Sequence, residues 1–102
     1  MKMLTMIVYA DIKQALADTL RGLPQVQGFT FTHVEGHGVK DSRDATLSAR
    51  DHVVGYVPHV RVDIILQEKS VVEVLDALRQ SQCGLAGRGY YWITEVERQG
   101  QL

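Results

Sequence analysis

Hydrophobic and polar positions alternate along this chain in two different periods. Leu4–Tyr9 is an apolar, partly β-branched run, too short for a helix and bounded by Ala10 and Asp11, which predicts a buried strand. Asp11 then stands where a helix N-cap is expected. Ile12, Ala15, Leu16, Thr19, Leu20 and Leu23 recur at three- and four-residue intervals, and Gly22 and Pro24 end that helix. Phe29–Glu35 switches back to strand alternation between Gly28 and Gly36. The stretch from His37 to Gly55 has no sustained apolar period and is dense in Lys40, Asp41, Arg43, Asp44, Arg50 and Asp51, so it reads as a long loop. Loops of that length are usually functional.

Strict alternation returns at Val57–Leu66, with Val60, Val62, Ile64 and Leu66 on one face and His59, Arg61, Asp63 and Ile65 on the other. Ser70 and Glu73 form a capping-box pattern ahead of the stripe Val71, Val74, Leu75 and Leu78, a second helix ending near Gln80. Gly84, Gly87 and Gly89 mark a tight loop, and Tyr90–Val96 supplies a fourth strand. The order βαβ, long loop, βαβ predicts an α+β, ferredoxin-like double βαβ: a four-stranded antiparallel sheet with two helices on one face. The other face needs a cover. Phe29 and Phe31 on strand two, with Tyr90, Trp92 and Val96 on strand four, offer more apolar surface than a wet face uses, which predicts a homo-oligomer.

Composition narrows the partners. The chain of 102 residues suits a single domain, 1–102, and its 45% hydrophobic and 23% charged content is ordinary globular usage. A net charge of −1 gives no reason to expect nucleic acid. Met3–Ala10 is shorter than a membrane span, is broken by Thr5 and is followed by no cleavage pattern, so neither membrane insertion nor a signal peptide is expected. Cys83 is the only cysteine, so no intrachain disulfide forms, in keeping with a cytoplasmic location.

Three motifs in register carry a family resemblance. Gly28-Phe-Thr-Phe-Thr-His-Val-Glu-Gly-His-Gly38 resembles the strand of PII signalling proteins that ends in a Gly-x-Gly turn at the base of the T-loop. Val57-Pro-His-Val-Arg-Val-Asp-Ile-Ile65 resembles their third strand, at the spacing of a full-length T-loop. Gly84-Leu-Ala-Gly-Arg-Gly89 occupies the place of the glycine-rich B-loop. Together they span about Leu4 to Val96, with the T-loop at about 37–56 and the B-loop at about 83–89. The resemblance implies a homotrimer whose sheets line a central barrel, with adenine nucleotide in clefts between subunits. It further implies a regulator, not an enzyme, that signals through the T-loop to a membrane transporter or other effector. A divergent PII-like subgroup is linked to heavy-metal efflux pumps and shares this chain's departures from the PII pattern.

Site residues follow from the same resemblance. Thr30 lies near the adenine, Gly36, His37 and Gly38 line the cleft at the loop base, and Gly87, Arg88 and Gly89 wrap the phosphates. Chemistry supports this, since glycine-rich turns expose backbone N–H groups as an anion nest and arginine adds charge-assisted bonds to phosphate. The departures weaken it: the two B-loop lysines of the PII pattern are Leu85 and Tyr90 here, and the basic C-terminal strand is missing. Two such losses remove about 3 to 6 kcal/mol, or about a hundred- to ten-thousand-fold in affinity. A ligand with fewer phosphates, or a cyclic nucleotide, is expected instead. Lys40 replaces the glutamine used toward Mg²⁺ and 2-oxoglutarate, and an ammonium cannot ligate a cation. The T-loop tyrosine that many PII proteins modify aligns with His52.

A second reading is a CutA-like metal-binding or metal-tolerance protein. His33, Glu35 and His37 share one face of an extended strand and are the candidate metal ligands. At about 3.3 Å per residue, His33 and His37 lie about 13 Å apart unless Gly36 bends the chain. The long T-loop argues against this reading, because CutA-type connections are shorter. No nucleophile and base arrangement or P-loop is present.

Overall fold

The computed structural model describes residues 1–37, 57–85 and 87–102. Strand β1 (Lys2–Tyr9) runs into a 3₁₀ turn (Ala10–Ile12) and helix α1 (Lys13–Arg21), followed by β2 (Thr30–Gly36). After the connection come β3 (Val57–Leu66), a 3₁₀ turn (Glu68–Ser70), helix α2 (Val71–Gln80) and β4 (Gly89–Glu95). The strands pair antiparallel in the order β2-β3-β1-β4, which puts the strands before the helices in the middle and the strands after them at the edges. This is the ferredoxin-like α+β arrangement that the periodicity predicts.

Register explains the two faces. Val60, Val62, Ile64 and Leu66 stand opposite Val8, Met6, Leu4 and Lys2, and all of these except Lys2 are at most 2% exposed. They form the core with Ile12, Leu16 and Leu20 of the first helical segment and Val71, Val74, Leu75 and Leu78 of α2. Cys83 packs there too, accepting a hydrogen bond from Ser81 Oγ at 3.0 Å, as a small buried residue does. The α1 stripe is rotated slightly from the predicted one: Ala17 is buried while Ala15 is exposed, and Thr19 Oγ1 donates back to the Ala15 carbonyl at 3.0 Å.

Both predicted N-caps are corrected. Neither Asp11 nor Ser70 makes a side-chain cap bond, because each helical segment starts earlier than its periodicity suggests. The extended entry residues are Tyr9 (φ −62°, ψ 140°) and Gln67 (φ −63°, ψ 144°), so Asp11 and Ser70 lie inside the 3₁₀ turns that follow. That frees the Asp11 carboxylate for another partner. Strand β1 likewise starts two residues before the predicted boundary, since Lys2 pairs with Glu95 of β4 through an ion pair. The hydrogen bond from Lys2 holds the Glu95 carboxyl below its ordinary range and raises the Lys2 ammonium in turn.

The sheet face away from the helices carries Met3, Thr5, Ile7 and Tyr9 of β1 and His59, Arg61, Asp63 and Ile65 of β3. Thr30, Thr32 and Val34 of β2 and Tyr90, Trp92 and Thr94 of β4 complete it. The phenylalanines do not belong there, contrary to expectation. Phe31 stands opposite the buried Val62 and packs with Phe29 against the core, their rings 5.4 Å apart. Tyr90, Trp92 and Ile65 remain exposed on the open face. At its centre Thr5 Oγ1 donates to Asp63 at 2.8 Å, Arg61 Nε donates to the same carboxylate at 3.1 and 3.2 Å, and the Arg61 guanidinium lies 5.7 Å from the Trp92 ring centroid.

Candidate functional site

Antiparallel pairing sends the end of β2, the start of β3, the end of β1 and the start of β4 to one end of the sheet. Gly36 pairs with Val57, Tyr9 with His59, and Val8 with Gly89. The base of the 37–56 connection and the glycine-rich loop therefore flank the same edge, three strand spacings or about 14 Å apart. Thr30 lies six residues back along β2, about 20 Å from Gly36 and opposite Asp63 near the middle of the sheet. A single chain does not bring Thr30 to the loops. Gly38, Lys40 and His52 lie outside the described residues.

The glycine-rich loop owes its shape to left-handed backbone at Gly84 (φ +86°) and Gly87 (φ +72°), conformations that side chains with a Cβ adopt at a cost. The Arg88 N–H closes the turn on the Leu85 carbonyl at 3.0 Å. The Arg88 side chain then reaches back over the end of β1. Its Nη2 donates to both carboxylate oxygens of Asp11, at 3.1 and 3.3 Å, and its guanidinium carbon lies 4.9 Å from the Tyr9 ring centroid. The Tyr9 ring in turn lies 4.9 Å from the His59 ring, whose Nδ1 donates to the Val57 carbonyl at 2.7 Å. A row of planar groups thus runs along the sheet end from the glycine-rich loop to the base of the long connection. Sequence reasoning missed Tyr9, Asp11 and His59 as members of this site.

Beside the loop, between β4 and α2, lies a cavity of about 200 Å³. Leu85 and Tyr90, the two residues that replace lysines of the PII pattern, line it with Met6, Leu75 and Tyr91. Among the described residues its one cation is Arg79, which sits 5.6 Å from the Tyr91 ring centroid. Of the two replacements, Leu85 packs against the core, whereas Tyr90 is exposed on the open sheet face.

The histidine and glutamate candidates on and just after β2 do not converge. His37 and Glu35 touch at 3.0 Å, whereas His33 Nε2 lies 3.2 Å from the Lys13 ammonium. An ammonium at that distance occupies the nitrogen lone pair and repels a cation. No group of three metal-ligating side chains comes together among the described residues.

With this geometry the chain can be placed among known proteins. A family model described as "Protein of unknown function (DUF3240)" matches residues 1–102. The "Nitrogen regulatory protein P-II" of Rhizobium meliloti (strain 1021) is 30% identical over 88 residues, covering 85% of this chain and 74% of the relative. This chain belongs to the DUF3240 family, within the PII-like superfamily. The "Nitrogen regulatory protein GlnK" of Escherichia coli (strain K12) is 25% identical over 103 residues, 96% of this chain and 88% of the relative. Among solved structures, a DUF3240 family protein from Shewanella baltica OS155 has a TM-score of 0.76 at 23% identity, covering 99% of this chain and 94% of that one. That likeness bears on the fold. The P-II and GlnK relatives, both named as regulatory proteins, agree with the PII resemblance read from the three sequence motifs. No helix among the described residues is long and apolar enough to cross a membrane.

Proposed function

We propose that this DUF3240 protein is a cytoplasmic homotrimer that regulates an effector, such as a membrane transporter, through its 37–56 connection, and is gated by a small anionic ligand. The observation that carries this reading is the gathering of the connection's base and the glycine-rich loop, with Arg88, at one end of the sheet. The ligand-binding set is Thr30, Gly36, His37, Gly38, Gly87, Arg88 and Gly89. Because Thr30 sits at the far end of β2, a cleft that includes both Thr30 and Gly36 needs Thr30 from a neighbouring chain. The open sheet face, with Tyr90 80% and Trp92 41% exposed, supplies the surface for such an assembly.

The ligand of this reading is an adenine nucleotide with few phosphates. Phosphate contacts come from the loop backbone and Arg88, while Leu85 and Tyr90 add no charge. Calorimetry of the full chain with ATP, ADP, AMP and cyclic AMP tests it. AMP or cyclic AMP is expected to bind at least as tightly as ATP. Tight ATP binding would contradict the role given to Leu85 and Tyr90, and silence from all four nucleotides would remove the nucleotide gate.

A further inference from the structure

Arg88 is held so that its own chain satisfies it in part. Nη2 is bonded to both oxygens of Asp11, and the Tyr9 ring supports the guanidinium face. Nε is buried and has no hydrogen-bond partner among the described residues. An unsatisfied buried donor on a charged group is costly, so its retention points to an acceptor that arrives with a ligand. The two ends of the ion pair are unequally anchored: the Arg88 side chain is 26% exposed and the Asp11 side chain 59%. Asp11 is thus the more exposed partner, and Arg88 the one packed on Tyr9.

We infer that Asp11 is a specificity gate for the anion site: its carboxylate occupies Arg88 until a phosphate-class ligand displaces it. The inference rests on the proposed reading of the glycine-rich loop as an anion site. Displacement sets a threshold. A monocarboxylate offers Arg88 no more than Asp11 already does and must also give up its own hydration. A doubly charged phosphate offers more charge, plus an oxygen for the unpaired Nε, and so crosses the threshold. The gate therefore discriminates by making the competing contact internal, a repulsive element as well as an attractive one. It also gives Asp11 a role that its failure to cap α1 leaves open.

The test is calorimetry of the full chain with inorganic pyrophosphate and with AMP, in the unsubstituted protein, Asp11→Asn and Arg88→Gln. Removing the competitor's charge while keeping its shape is expected to tighten binding about tenfold, the factor that about 1.4 kcal/mol represents. Arg88→Gln is expected to abolish it. A second readout is the Arg88 Nε–H resonance, which is expected to shift on adding pyrophosphate to the unsubstituted chain. If Asp11→Asn unfolds, Asp11→Ser takes its place. Binding lost in Arg88→Gln but unchanged or weakened in Asp11→Asn would overturn the gate and leave the anion site standing. No binding by any of the three proteins, with a stationary Nε–H resonance, would overturn both.

Discussion

Ile65→Asp is expected to leave a folded chain and to remove the assembly. Ile65 lies on the open sheet face, opposite Met3 and on the same face as Asp63, and is 36% exposed, so an aspartate there disturbs no core residue. In the proposed trimer the same face turns inward, and each chain would carry an unpaired carboxylate into the barrel. Leaving a buried charge without a partner costs about 3 to 5 kcal/mol. Three symmetry-related copies compound that cost, so association should weaken by more than about a thousandfold. Light scattering should report a single-chain mass, with circular dichroism keeping the α+β signature. An undiminished assembly would mean that the open face is not the interface. Trp92→Asp should act in the same direction, with an added cost inside the chain because Trp92 carries Arg61 on its ring.

The second large effect is expected at Gly36→Ala. A Cβ at Gly36 would fall 2.1 Å from Nδ1 and 2.2 Å from Cε1 of His59, far inside van der Waals contact. The ring cannot simply step aside, since Nδ1 is bonded to the Val57 carbonyl and the ring packs on Tyr9. Overpacking of this kind costs about 1 to 3 kcal/mol. Loss of the His59 bond adds about 1 kcal/mol. The melting temperature should then fall by about 4 to 8 °C for each kcal/mol. The double substitution Gly36→Ala with His59→Ala should recover most of the clash term while still lacking the ring. If Gly36→Ala alone melts like the unsubstituted protein, the close approach of His59 is not what glycine serves at this position.

Much of the fold was legible in the sequence because its signals are local. Val57–Leu66 reads as one strand with the correct inward set, since strict period-two alternation next to charged residues admits one burial pattern. The glycines of the 84–89 loop were legible for the same reason: two of them adopt positive φ. What failed was what depends on partners distant in sequence. Asp11 and Ser70 looked like caps because cap chemistry is read from neighbours, yet the chain enters both helices through 3₁₀ turns. Phe29 and Phe31 were given to the open face, although Phe31 is set toward the core by its pairing with Val62. Parity within a strand does not say which parity faces the helices.

The site was legible only in pieces. The motifs located Gly36, Gly87, Arg88 and Gly89, but the Arg88–Asp11 pair joins residues 77 positions apart and exists because β1 and β4 are neighbours. Tyr9 and His59 meet only through the β1–β3 register. No composition or spacing announces such a row; strand order does. The extended run of β2 separates Thr30 from Gly36, which turns a list of site residues from one chain into an argument for two.

The central claim is therefore an assembled regulator whose ligand cleft is completed by a second chain. Sedimentation equilibrium of the full chain at micromolar concentration tests it most directly. The account predicts a mass about three times that of the 11.4 kDa chain. A single-chain mass across the concentration range would contradict it, because Thr30 and Gly36 could then never share a site.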